Sequence, residues 1–153
     1  MRFSTVAAAL TTASLASARI VGIAAPATLT PNSTFTLTLL TENYVQSVAD
    51  VAVAWGFSLA PGYPYSLGSF TGSSYLGPSK SNTMKNVTVE ATVPEELAGE
   101  DWVGKDVVLS AGVYSLYGAS SGTTLTGFNV TVKIGEGAGL VESQGQAWIQ
   151  NGN

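Results

Sequence analysis

Five carboxylates crowd one connection: Glu95, Glu96, Glu100, Asp101 and Asp106 all fall within VPEELAGEDWVGKD. A pair of carboxyl groups can cleave a glycosidic bond, one as acid and one as base or nucleophile, if a fold holds them roughly 5–9 Å apart across a cleft. The opposing reading is a solvated connection, in which Glu95 and Glu96 complement the positive end of a short helical turn opened by Pro94 and closed by Gly99. The second reading is the one adopted. Calcium would want oxygen ligands at a tighter, loop-like spacing than these acids have, so no metal site is expected.

Other chemistry is removed by what the chain lacks. Its 153 residues include no histidine and no cysteine. Without an imidazole or a thiol there is no Ser-His-Asp or Cys-His nucleophile and no Cys/His metal cluster. Any enzymatic chemistry here must run on carboxylates, Lys, Tyr or a hard cation, and no catalytic residue, cofactor or metal is assigned.

Recognition is the remaining use for reactive-looking residues. The loop PGYPYSLGSF is punctuated by Pro and Gly and presents Tyr63, Tyr65 and Phe70. Aromatic rings in loops offer large contact area with few torsions to freeze, so they suit a protein partner or the face of a sugar. The competing reading packs Tyr63 and Tyr65 beneath their own loop. Trp148, beside Ile149, stands in a polar C-terminal stretch, where the pair either folds back on the domain or meets a partner.

Charge narrows the partner. The formal net charge is −4, with six basic residues against ten acids. Arg19, Lys80, Lys85, Lys105 and Lys133 are scattered singly, whereas nucleic acid and anionic membranes both select a basic patch or stripe. Neither is expected as a partner.

These residues must be carried by strands. In TFTLTLLT, Phe35, Leu37 and Leu39 alternate with threonines, the period of a half-buried strand. NVTVEATV repeats the pattern with Val87, Val89, Ala91 and Val93 facing in, and FNVTVKI with Phe128, Val130, Val132 and Ile134. VADVAVAWGF is apolar on both faces and reads as a central strand, with Val51, Val53, Trp55 and Phe57 on its heavier side. DVVLSAGVYSLY is another, entering the hairpin loop of SLYGASSG after Tyr117, while Phe70 to Leu76 signals a strand only weakly. Turn formers at such intervals predict an all-β fold, an immunoglobulin-like β-sandwich of about six or seven strands in two sheets.

The domain is expected over 19–134, followed by a flexible tail over 135–153, where alternation gives way to Gly, Gln and Asn. Residues 1–18 read as a secretory signal peptide: Arg2, an apolar run at Val6 to Leu10, and Ala16-Ser17-Ala18 as the cleavage sequence, cut between Ala18 and Arg19. Secretion agrees with three N-x-[ST] glycosylation sequons, at Asn32, Asn86 and Asn129. The first falls in a turn, and the other two on faces that periodicity assigns to solvent.

The blocks RIVGIAAP, TENYVQSVADVAVAWG, PGYPYSLGS, YLGPSKSN, VPEELAG and SLYGASSGTTLTGFNVTV, in that order from Arg19 to about Ile134, resemble the necrosis-inducing secreted effector family of plant-associated fungi. The resemblance implies a non-catalytic effector that binds host plant receptor-like kinases, both a membrane co-receptor kinase and a cytoplasmic receptor-like kinase. It also implies suppression of pattern-triggered immunity, cell death in some plants, and translocation of a secreted protein into host cytoplasm. A chain without disulfides is compatible with that reducing compartment. A carbohydrate-binding module gripping cell-wall glycan through Tyr63 and Tyr65 is the alternative.

Overall fold

Among the described residues the chain forms ten strands: β1 (Ser17–Pro26), β2 (Thr28–Leu29), β3 (Thr34–Tyr44), β4 (Val48–Leu59), β5 (Ser69–Tyr75), β6 (Val87–Thr92), β7 (Asp106–Tyr117), β8 (Gly122–Ile134), β9 (Leu140–Glu142) and β10 (Trp148–Asn151). They belong to a computed structural model that describes residues 17–152. One sheet runs β6-β3-β1-β9, the other β10-β8-β7-β4-β5, with β2 joined in parallel to β8. The architecture is an all-β sandwich of two sheets.

Register explains why the threonines face out. Phe35, Leu37 and Leu39 of β3 stand opposite Ala91, Val89 and Val87 of β6, so both strands offer their apolar set to one side. In the second sheet Val107, Leu109 and Ala111 stand opposite Val132, Val130 and Phe128. The two inner faces meet edge to face at Phe35 and Phe57, whose ring centroids lie 6.5 Å apart. Each such Leu, Val or Phe taken out of water contributes about 1.5–3 kcal/mol. Trp55 joins this core, and Trp102 packs against its margin.

A bulge changes one expectation. Between Asp50 and Ala52 the register of β4 on β7 slips by a residue. One extra residue reverses which side chains face inward. Asp50 is consequently buried at 4 % exposure, while Val51 is only half-buried.

The C-terminal stretch also differs from the flexible tail expected over 135–153. Within it β9 pairs with β1, Ala24 opposite Glu142, and β10 pairs with β8, Trp148 opposite Gly127. Edges of β1 and β8 offer unpaired N–H and C=O groups, and backbone pairing there needs no side-chain alternation. The expected signal peptide, residues 1–18, lies outside the described residues except for Ser17 and Ala18, which open β1.

Candidate functional site

Small residues on the outer face of the larger sheet make room for an aromatic cluster. Gly127 of β8 stands opposite Gly112 of β7, which stands opposite Ala54 of β4. The Trp148 indole lies where a Gly127 side chain would be, and reaches over Gly112 together with Leu67. Tyr65 closes the cluster, its ring 5.6 Å from that of Trp148. The structure thus joins Tyr65 and Trp148, two of the four aromatic residues singled out in the sequence for recognition. Trp148 folds back onto the sandwich, and Tyr65 stays 61 % exposed.

Tyr63 is more exposed still, at 75 %. With Leu59, Pro61 and Trp102 it lines a separate depression of about 380 Å³. Phe70 packs against Trp102 at 6.0 Å between ring centroids. The loop between β4 and β5 therefore holds Tyr63 and Tyr65 out, with Phe70 following at the start of β5, rather than packing the tyrosines beneath itself.

Backbone strain accompanies that exposure. Tyr65 and Phe70 have φ of 60° and 54°. Bulky side chains rarely adopt the left-handed region, at about 1–3 kcal/mol each, and such residues cluster at binding and switch sites. Gly68 between them has φ of 84°, and a Cβ there would strike the Phe57 carbonyl. Only glycine allows this loop to lie so close to β4.

The carboxylate cluster takes no comparable shape. Glu95, Glu96, Glu100, Asp101 and Asp106 are all exposed. Glu95 and Glu96 open a single 3₁₀ turn, Glu95–Ala98, capped by Gly99, and Asp106 pairs with Lys133 at 2.6 Å. Among the described residues no group of three or more His, Cys, Asp or Glu is placed to hold a metal ion. No helix among them is long and apolar enough to cross a membrane.

All three sequon asparagines are exposed. Asn32 occupies the turn before β3 with φ of 57°, and Asn86 accepts a hydrogen bond from the Thr41 N–H at 3.0 Å. Asn129 lies two residues along β8 from Gly127, on the same outer face as the Trp148 cluster.

A second candidate, which the sequence did not single out, opens at one end of the sandwich. It is a cleft of about 490 Å³ lined by Arg19, Glu42, Tyr44, Tyr117, Thr124 and Thr126, with Gln46, Gln146, Ile149 and Asn151 also on its walls. Arg19 donates to Glu42 from Nε and Nη2, at 3.0 and 2.7 Å. The hydrogen bond from Arg19 to the Glu42 carboxylate raises the guanidinium's pKa above its ordinary value. Its Cζ sits 4.6 Å from the centre of the Tyr44 ring, and Tyr44 meets Tyr117 edge-on at 5.6 Å. Burial, followed by the Asp50 carboxylate, raises the Tyr117 phenol's pKa.

Asp50 lies behind that wall and is held from three sides. Ser115 Oγ donates to its carboxylate at 2.6 Å, and its N–H donates to Ser81 Oγ at 2.6 Å. The Asn82 backbone N–H is a further donor to the carboxylate. Burial pushes the acid above the usual carboxylate range despite these bonds. Alternation had placed a valine on this face, and only non-local pairing reveals the bulge that substitutes the acid.

A model of the Nis1 family matches residues 16–133. Necrosis-inducing secreted protein 1 of Colletotrichum orbiculare is 42% identical over 155 residues, covering 100% of this chain and 93% of that protein. Its namesake in Colletotrichum higginsianum is 46% identical over 133 residues, 86% of this chain and 89% of that protein. Among solved structures, a superoxide reductase (neelaredoxin) from Ignicoccus hospitalis is similar with a TM-score of 0.44 and 14% identity, over 77% of this chain and 82% of that one.

Proposed function

The chain belongs to the Nis1 family, and from that premise we propose that it is a secreted, necrosis-inducing fungal effector that binds plant receptor-like kinases and suppresses pattern-triggered immunity. Secretion and necrosis induction follow the names its relatives carry. Kinase binding rests on the surface: exposed Tyr63 and Tyr65 on a strained loop braced by Trp148. Burying two tyrosines against a partner supplies the kind of aromatic anchor that dominates protein interfaces. The effector acts by occupying a kinase surface, without chemistry of its own, and a chain lacking cysteine keeps its fold inside reducing host cytoplasm.

The test is autophosphorylation of a purified co-receptor kinase domain titrated with the secreted, processed protein. Saturable inhibition supports the reading. No inhibition and no binding across several such kinases removes it.

The end cleft favours a second reading, glycan binding. Its ion pair is internally neutral and its walls mix hydroxyls, amides and two tyrosines, which suits an uncharged polyhydroxylated ligand. Retention on insoluble chitin or glucan that is lost in Tyr117→Ala supports it; free passage through both polymers excludes it.

A further inference from the structure

The leader ends in two overlapping cleavage sequences, Ser14-Leu15-Ala16 and Ala16-Ser17-Ala18, each with small residues at the two positions that signal peptidase reads. Cutting after Ala18 would start the mature chain at Arg19, and cutting after Ala16 would start it at Ser17. Composition does not separate the two, but the fold does. The structure assigns the mature N terminus to Ser17, with cleavage between Ala16 and Ser17.

Ser17 and Ala18 are built into β1. Ser17 pairs with Tyr44 and Ala18 with Asn43 across the β1–β3 ladder. Ala18 is 1 % exposed. Its N–H donates to Asn82 Oδ1 at 2.9 Å, and the Asn82 N–H in turn serves the buried Asp50 carboxylate that Ser115 also holds. Ala18 is thus the first link of a polar chain that runs from the sheet edge to the most buried acid in the domain. A cut after Ala18 would delete that link, leave Asn82 Oδ1 without its donor and empty the space of a buried methyl group. It would also strip the partner of Tyr44, the residue on which Arg19 rests at the mouth of the end cleft.

A cut after Ala16 costs none of this. It leaves the Ala18 amide as an ordinary peptide N–H and places the new ammonium on half-buried Ser17, at the open end of the strand. The apolar run Val6 to Leu10 also lies nearer to Ala16, so both the leader and the fold point to the same bond.

The assignment rests on the secretion reading, and one experiment separates the two. The full chain is expressed in a secreting fungal or yeast host and the medium protein is analysed by intact mass and N-terminal sequencing after deglycosylation. The expected start is Ser17, whereas a start at Arg19 overturns the assignment and leaves secretion standing. Retention of Met1 in a chain that stays inside the cell overturns both. Ser14→Asp spoils the first sequence alone and leaves residues 17–152 unchanged. It should block or displace cleavage, while unaltered processing of this variant counts against Ala16. As an independent readout, the chain 19–153 should melt about 3–8 °C below the chain 17–153. Equal melting temperatures would show that Ser17 and Ala18 do not belong to the fold.

Discussion

The aromatic side and the open end of this sandwich reach exposure by opposite routes. On the aromatic side, Tyr63 and Tyr65 are held out by a loop in which Tyr65 carries positive φ, as does Phe70 at the start of β5. At the open end the side chains are mutually engaged: Arg19 with Glu42, Tyr44 with Tyr117, Asp50 with Ser115. Unspent apolar surface and stored strain suit a macromolecular partner, whereas satisfied polar walls around a concavity suit a small ligand. The same two sheets can therefore present two different kinds of recognition surface.

Kinase affinity is the sharpest way to break that contrast. Tyr63→Ala with Tyr65→Ala should weaken binding by at least tenfold, on the order of 2 kcal/mol or more for two interface tyrosines. Tyr117→Ala should leave it unchanged, and calorimetric titration of both variants against one kinase domain compares them directly. If the end-cleft variant loses affinity and the loop variant keeps it, the two surfaces have been assigned the wrong way round.

Glycosylation sharpens the comparison next. A glycan at Asn129 would stand beside Trp148 on the outer face, and one at Asn86 would not. Protein from a glycosylating host should bind kinase several-fold more weakly than its Asn129→Gln form, with Asn86→Gln making no such difference. Identical affinities for the two variants would place the kinase surface elsewhere.

Smaller effects separate strain from burial. Tyr65→Gly should be more stable than Tyr65→Ala by about 1 kcal/mol, because both lose the Trp148 contact and only glycine accepts φ of 60°. Chemical denaturation reads this, and the reverse order would mean that the loop holds no backbone strain. Asp50 makes the open end respond to pH. Its folded-state pKa is raised by burial, so the folded chain binds the proton more tightly than the unfolded one. Its favourable contribution is present below the ordinary carboxylate pKa and is lost as pH rises through the raised value. Asp50→Asn, which can still accept from Ser115, should flatten that part of the stability profile and leave the protein more stable at neutral pH. A melting curve series from pH 4 to 7 that is superimposable for the two chains would contradict it.

Much of the frame could be read without the structure. Phe35, Leu37 and Leu39, or Val87, Val89 and Ala91, announce their strands because the pleat repeats every two residues and local covalent geometry dictates which side each faces. The same alternation correctly put Asn86 and Asn129 in solvent. It failed at Asp50, where a bulge decided by pairing with β7 reverses the faces, and in the tail, where β9 and β10 are made by backbone hydrogen bonds that leave no periodic mark on side chains.

The candidate surfaces divide along the same line. Tyr63 and Tyr65 stood out because Pro and Gly around them require a loop, and Trp148 because an indole in a polar stretch needs somewhere to go. That the indole lies over Gly127 and Gly112 beneath Tyr65 was decided by strand order, which brings β10 alongside β8 and the loop after β4 across the same face. The end cleft gathers Arg19, Tyr44, Tyr117 and Thr126 from four strands. The sequence by itself determined strand periods and the absence of imidazole and thiol chemistry, since each is a local or compositional property. Only the tertiary structure decided which distant residues share a surface, because that depends on non-local pairing and on the close approaches that glycines permit.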